Sequence, residues 1–268
     1  MSILDARSKQ LRRSVIRMVE ADKRGHIGPA MSLIELLRVL YDSYLNVNPR
    51  DPDWQDRDRF ILSKGHGCLA LYAILADKGF FSEDEFDNFC KPTSFLGGHP
   101  ERGKAAGVEA STGALGHGLP IGVGMALSAK IRQKKHRVVV VMGDGETNEG
   151  SVWEAAMSAS KHQLSNLIVL VDHNKLQSYG PTYEVLDMLS MKDKWTSFGF
   201  ATCEVDGHSI ENLEKLFDRL PLDINKPTAI ICHTIKGKGI SFAEGQPSWH
   251  HKSGLKASDF EAMYKCLE

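Results

Sequence analysis

The chain has 268 residues, 42% of them apolar and 25% charged, with a formal net charge of −1. These are the proportions of an ordinary soluble globular protein, long enough for one large α/β domain or two small ones. The near-zero charge gives no global field that would favour nucleic acid or an anionic membrane. No apolar run approaches the length of a membrane span, and the N-terminal MSILDARSKQLRR lacks the apolar core of a signal peptide. Five cysteines (Cys68, Cys90, Cys203, Cys232 and Cys266) without Cys-x-x-Cys spacing point to a reduced, cytoplasmic protein.

In chain order, residues 5–22 read as an amphipathic helix. Ser32-Leu-Ile-Glu35 has the form of a capping box, followed at helical spacing by Leu33, Leu36, Leu37, Leu40, Tyr41 and Tyr44. Asn48–Asp53 is a loop, and Phe60–Leu62 a short strand leading into Ser63-Lys-Gly-His-Gly67. A buried helix is expected from Leu69 to Asp77, and a second capping box, Ser82-Glu-Asp-Glu85, opens the next helix. Residues 95–124 are Gly-rich without low complexity, and loops of this length tend to be functional. Lys134-Lys-His-Arg137 precedes a strand and reads as a solvated turn.

The most informative stretch is Val138–Ser178. A β-branched run ends at Gly143-Asp144-Gly145, a helical segment follows, and a second apolar run, Leu167–Val171, ends at Asp172-His173-Asn174. Apolar runs bounded by Gly and Asx read as buried parallel strands joined by a crossover helix. Such a connection brings Asp144 and Asn174 to one edge of the sheet, past the strand C-termini. Adjacent strands are roughly 4.8 Å apart, so two side-chain oxygens there can share a hard cation at about 2.0–2.6 Å from each. The glycines leave room for a ligand against backbone, and the helix behind them points its N-terminus at it. That is a site for a diphosphate and a divalent ion. Beyond it come a loop at 175–182, a helix over about 187–198, a strand at Ala201–Val205, a helix capped by Ser209 and running to Leu220, and a strand at Thr228–His233. Strands alternate with helices, so the fold class is α/β: a single doubly wound parallel sheet with helices on both faces.

Eleven histidines are present, and His26, His66, His99, His117 and His250 all fall in Gly- or Pro-containing loops, as residues lining one sheet edge would. Imidazole is suited to moving protons and binding sugar hydroxyls near neutral pH. Zinc is the competing reading, but only the contiguous His250-His251 form a close pair.

The motif GDGETNEG with DHNKL resembles the thiamine-diphosphate signature, and the transketolase family in particular. Gly25-His26-Ile-Gly-Pro, Asp58-Arg-Phe-Ile-Leu-Ser-Lys-Gly-His66, Gly98-His99-Pro-Glu101, Ser111-Thr-Gly-Ala-Leu-Gly-His-Gly118, Lys236-Gly-Lys-Gly-Ile240 and Ser248-Trp-His250 are similar to successive motifs of that family, in family order. The resemblance implies thiamine diphosphate as cofactor, with Mg²⁺ (or Ca²⁺ or Mn²⁺) held by Asp144, the Asn174 side chain and the Leu176 carbonyl. It places Gly145 and the Gly113-Ala114-Leu115 loop against the cofactor and His66 beside its diphosphate and thiazolium, with Lys64 and Lys236 as charge partners. His26, His99 and His250 would line the substrate channel, and Glu149 and Glu154 match acidic positions at a dimer interface. Where His117 stands the family commonly has Gln, and an ungapped match selects His250 over His251.

The same resemblance implies a pyrimidine-binding domain that is missing here, since about 17 residues follow His251, fewer than a domain needs. Residues 1–268 thus read as the diphosphate-binding domain, with a C-terminal partner subunit carrying the pyrimidine domain in a two-plus-two heterotetramer. The implied reaction moves a two-carbon ketol unit from a ketose phosphate to an aldose phosphate through a thiamine carbanion and enamine. The alternatives are a subunit of another thiamine enzyme, either 2-oxo-acid dehydrogenase α-like or deoxyxylulose-phosphate-synthase-like, and a non-catalytic scaffold. A nicotinamide enzyme is a further rival, because Gly122-Val-Gly124 begins like a dinucleotide fingerprint, although no third glycine follows.

Overall fold

The computed structural model describes residues 4–268. Helix α1 (Ala6–Asp22) is capped by Asp5, whose carboxylate accepts from Ser8 N, and leads through the two-residue strand β1 (Arg24–Gly25) into α2 (Ile27–Met31) and α3 (Ile34–Val39). Strand β2 (Arg59–Leu62) precedes α4 (Cys68–Asp77), buried on every side except at its C-terminal end. Then come α5 (Gly118–Ile131), β3 (Val138–Gly143), α6 (Gly150–Lys161) and β4 (Leu167–His173). The remainder is α7 (Thr182–Leu186), α8 (Met191–Ser197), β5 (Ala201–Asp206), α9 (Ile210–Phe217), β6 (Thr228–His233), β7 (Lys252–Ser253) and α10 (Ala257–Lys265).

Five strands form one parallel sheet in the order β2-β3-β4-β6-β5, and β1 pairs antiparallel with β7 in a small ribbon. The alternation of side chains along each strand divides the apolar interior in two. Val139, Val141, Ile168, Leu170 and Ile230 face α1, α3, α4 and α9, whereas Val138, Val140, Met142, Val169, Val171 and Ile231 face α5, α6 and α8. A strand buried on both faces must be apolar at every position, which is why β3 reads as an unbroken β-branched run. Gly122 belongs to this packing and not to a dinucleotide fingerprint: it lies inside α5, and a Cβ there would come within 2.5 Å of Val140 Cγ2.

Several local expectations are corrected. Ser32 is in helical conformation (φ −71°, ψ −18°), so it cannot cap α3; its hydroxyl reaches Asp172 Oδ2 at 2.7 Å and Pro29 O at 3.0 Å. Ser82 does cap, but it opens a short 3₁₀ helix over Glu83–Asn88. The helix expected over 187–198 is interrupted at 187–190, where Leu189 takes a positive φ and Ser190 caps α8 afresh; α9 ends at Phe217, not Leu220. Nor is 134–137 a solvated turn throughout, because Arg137 binds Asp58 and lies 4.0 Å from the Tyr44 ring centre.

Glu35, the other end of the supposed capping box, instead joins a buried ionic network. Arg12, fully buried, makes a two-pronged contact with Glu35 at 2.6 and 2.9 Å and donates to the carbonyls of Met31 and Lys238. His208 Nδ1 lies 2.8 Å from Glu35, and its Nε2 accepts from Ile235 N at 2.9 Å, so the proton resides on Nδ1. The network ties α1 and α3 to the loop that carries Lys236. Removing one member leaves the other charge buried without compensation. Glu35→Ala should therefore cost ~3–5 kcal/mol of unfolding free energy in denaturant titration, whereas a loss below ~1 kcal/mol would show that the network is energetically idle.

Candidate active site

The C-terminal ends of β2, β3, β4 and β6 open into one cavity of about 430 Å³. The parallel register sets Gly143 opposite Asp172, so the turn after β3 and the turn after β4 emerge side by side. Asp172, with no exposed surface, organises this edge. It accepts from the Lys64 ammonium, the Thr234 hydroxyl, the Ser32 hydroxyl at 2.7 Å and Asn174 Nδ2 at 3.1 Å. Burial alone would raise its pKa, but the Lys64 charge and the hydrogen bonds from Lys64, Thr234 and Ser32 together hold it below the usual carboxylate range. An ionised carboxylate only accepts, so the Asn174 amide must turn its NH₂ toward Asp172, leaving Oδ1 free to accept from Leu176 N at 3.1 Å.

Asp144 is also buried, its two oxygens accepting from Gly145 N at 2.7 Å and Lys175 N at 2.5 Å. The Leu176 carbonyl receives Lys236 Nζ at 2.7 Å. Burial, followed by repulsion from Lys64, brings the Lys236 pKa down to about 8. Opposite this polar floor, Gly113 takes φ +147°, and a Cβ there would meet His99 Cδ2 at 2.9 Å. Only glycine allows the 113–115 loop and the His99 ring to approach so closely.

The roof of the cavity is imidazole. His26 is central, its ring 5.6 Å from His66, 5.9 Å from His99 and 5.5 Å from His250, while His66 and His250 stack at 5.2 Å. Burial, and then the neighbouring positive groups, lowers His26 to about 4 and His250 to about 3, and takes His66 well below its ordinary value. His99 is lowered by burial alone. These rings are neutral at pH 7, able to accept a proton or a hydroxyl hydrogen bond. Asn148 Oδ1, Gln177 Nε2 and His250 Nδ1 are buried without a partner among the described residues, and all three residues border the cavity. A buried polar atom left unpaired is costly, so such a lining suits a polar ligand and not an apolar one.

Comparison with known proteins gives this geometry a family. Residues 5–267 match the family model described as "Transketolase, thiamine diphosphate binding domain". The chain belongs to the transketolase family. It is 42% identical over 248 residues to an apulose-4-phosphate transketolase subunit of Phocaeicola vulgatus, covering 92% of this chain and 88% of that one. It is 39% identical over 227 residues to the 6-deoxy-6-sulfo-D-fructose transketolase subunit SqwG of Clostridium sp., covering 85% and 82%. Human transketolase is 40% identical over 246 residues, 91% of this chain but 39% of the human one. Among solved structures, a transketolase from Pichia stipitis superposes with a TM-score of 0.89 at 32% identity, covering 96% of this chain and 39% of that one. The chain thus spans about two fifths of these longer transketolases.

Within this transketolase domain the structure gathers His26, His66, His99, Gly113, Leu115, Asp144, Gly145, Asn174, Leu176, Lys64, Lys236 and His250 around one cavity. Ala114 is solvent-exposed and outside the lining, as is His117, whose Nδ1 contacts its neighbour Leu115 O at 2.9 Å. Glu149 borders the cavity, and Glu154 is exposed on α6 away from it. His250 faces the cavity, whereas His251 packs on the other side of His26 at 4.6 Å and borders a second cavity of about 230 Å³. Glu146, Asn148, Asp172 and Gln177 are not among the residues expected from the sequence, although Glu146 and Asp172 lie inside the two motifs that mark the site.

The lowered imidazole values give a signed pH dependence. In the unfolded chain these histidines take up protons around 6.5, but folded His26 and His250 do so only at about 4 and 3. Between those values the unfolded state binds more protons, so stability should rise with pH from about 4 to 6.5 and level off above. NMR should find the ring signals of both residues unshifted from about pH 8 to pH 5.5. Titration of either near 6.5 would contradict the buried, neutral roof.

Proposed function

We propose that the cavity holds the diphosphate of thiamine diphosphate through a divalent ion, and that the chain transfers a two-carbon ketol unit from a ketose phosphate to an aldose phosphate together with a separate C-terminal subunit. The observation that carries this reading is that Asp144, Asn174 and Leu176 line one cavity at the sheet edge, beneath a roof of neutral histidines. The donors they offer, a carboxylate, an amide oxygen and a backbone carbonyl, are hard oxygens, suited to Mg²⁺, Ca²⁺ or Mn²⁺ more than to zinc. Among the described residues no group of three His, Cys, Asp or Glu side chains could hold a metal ion.

Thiamine diphosphate bound there would supply the nucleophilic carbon that ketol transfer requires. Asp144, Asn174 and Leu176 would hold the ion that neutralises the diphosphate, and Gly113, Leu115 and Gly145 line the same cavity, where they would border the cofactor. Lys236 and Lys64 add positive charge on the same side. His26, His99 and His250 hold the sugar hydroxyls, and one of them accepts the hydroxyl proton of the donor as its carbon–carbon bond breaks. His66, stacked on His250 at 5.2 Å, would stand beside the cofactor.

The partner subunit would bring the pyrimidine-binding domain, in a two-plus-two assembly with active sites between chains. Two of the relatives carry "subunit" in their names, and the longer transketolases continue well beyond the matched region. Residues 1–268 act as the diphosphate-binding domain in this scheme. A cytoplasmic location accords with five free cysteines, and no helix of the described residues is long and apolar enough to cross a membrane.

The test is turnover of xylulose 5-phosphate with an aldose phosphate acceptor, using the chain by itself or with its partner subunit, and with pyruvate as the competing donor. Ketol transfer should need both chains, thiamine diphosphate and a divalent ion. Asp144→Ala should lower activity at least ~100-fold, and His26→Ala ~10²–10⁴-fold at saturating cofactor. Normal turnover by the chain alone, or preference for pyruvate, would refute the proposal.

A further inference from the structure

We infer that Glu146 is a positioning residue for the cofactor, clasping the segment after β2 and the glycine loop before α5 to its own Gly-Asp-Gly turn in one cradle. This role rests on the reading of the cavity as a thiamine-diphosphate site. Glu146 follows Asp144 by two residues, in the 3₁₀ turn Gly145–Asn148, and has 2% of its surface exposed at the cavity wall. Among the described residues no side chain of opposite charge bonds it directly. Its Oε1 accepts from the Ser63 hydroxyl and from Gly116 N at 2.9 Å, and its Oε2 accepts from Gly143 N at 3.1 Å. Ser63 Oγ in turn accepts from Gly118 N at 3.1 Å.

The donors come from the end of β2, from the glycine loop before α5 and from the end of β3, and each segment also lines the cavity through His66, Gly113 or Gly145. The glycine loop fits closely against this acceptor. A Cβ on Gly118 would lie 2.3 Å from Ser63 Oγ, and one on Gly116 would lie 2.6 Å from Glu149 Cβ. The carboxylate is thus the common acceptor that holds the 113–118 loop to the Gly-Asp-Gly turn.

A carboxylate is required because all its partners donate. In Glu146→Gln, an amide nitrogen in the Oε2 position would oppose Gly143 N–H, and the reversed amide would oppose Gly116 N–H. Either orientation leaves a pair of buried donors facing each other, which costs more than a missing bond. The loops then part by the room those donors need, and the cofactor loses a preformed cradle.

The experiment measures the apparent KM for thiamine diphosphate and kcat at saturating cofactor, in the complex with the partner subunit, for the parent protein, Glu146→Gln and Ser63→Ala. Glu146→Gln should raise that KM by ~10-fold or more while kcat stays within about twofold, since the chemistry itself does not touch Glu146. Ser63→Ala removes one donor and the partner of Gly118 N, and should raise KM by about threefold; it carries the test should Glu146→Gln fail to fold. An unchanged KM in the folded variant, or a loss confined to kcat or to thermal stability, would overturn the inference. No thiamine-diphosphate dependence in the parent complex would overturn the functional reading and this inference with it.

Discussion

The register between β3 and β4 is the constraint on which the site depends. Both strands are buried on two faces, so each is committed to one alternation of side chains, and a slip by one residue would exchange the two halves of the core. With Gly143 held opposite Asp172, the Gly-Asp-Gly turn and the Asp-His-Asn turn leave the sheet together. Asp172 then converts a strand end into a fixed polar floor by collecting donors from α2–α3, from the turn after β2, from the turn after β4 and from the segment after β6. Its buried negative charge is tolerable because Lys64 is its partner and every donor is directed at it.

Two networks of this kind frame the cavity, and they divide the labour. Asp172 sets the amide orientation of Asn174 and anchors Lys64 at the cavity wall. The Arg12–Glu35–His208 network works one layer further out, fixing the backbone at Ile235 and so the reach of Lys236 to the Leu176 carbonyl. Hydrophobic burial holds the sheet and helices, whereas these buried charges decide where a few oxygens point. Such arrangements specify position more than they add stability.

The sheet and the site edge were legible in the sequence for a plain reason: strands buried on both faces leave no room for polar residues, and the turns after them are marked by Gly and Asx. The transketolase resemblance rested on loops, and loop residues of this chemistry have few structural reasons to occur together. What could not be read was the destination of buried polar side chains. Ser32 and Glu35 have the spacing of a capping box, and spacing does not reveal that Ser32 is already helical and faces Asp172. Glu146 and Asp172 look like the acidic turn residues common beside glycine. Only the folded arrangement shows that one accepts from three segments and the other from four. The helix break at 187–190 was hidden for a similar reason, because an apolar periodicity continues across a stretch where the backbone turns at Leu189.

At the centre of the proposed function is a cation shared by Asp144, Asn174 and the Leu176 carbonyl, gripping the cofactor's diphosphate. Crystals of the chain grown with thiamine diphosphate and Mn²⁺ would test it through the anomalous signal of manganese. The expected result is one strong peak at about 2.0–2.6 Å from an oxygen of each of the three residues, with diphosphate oxygens completing its coordination. A peak bound elsewhere, or a cofactor seated in the cavity with no ion touching Asp144 and Asn174, would contradict it.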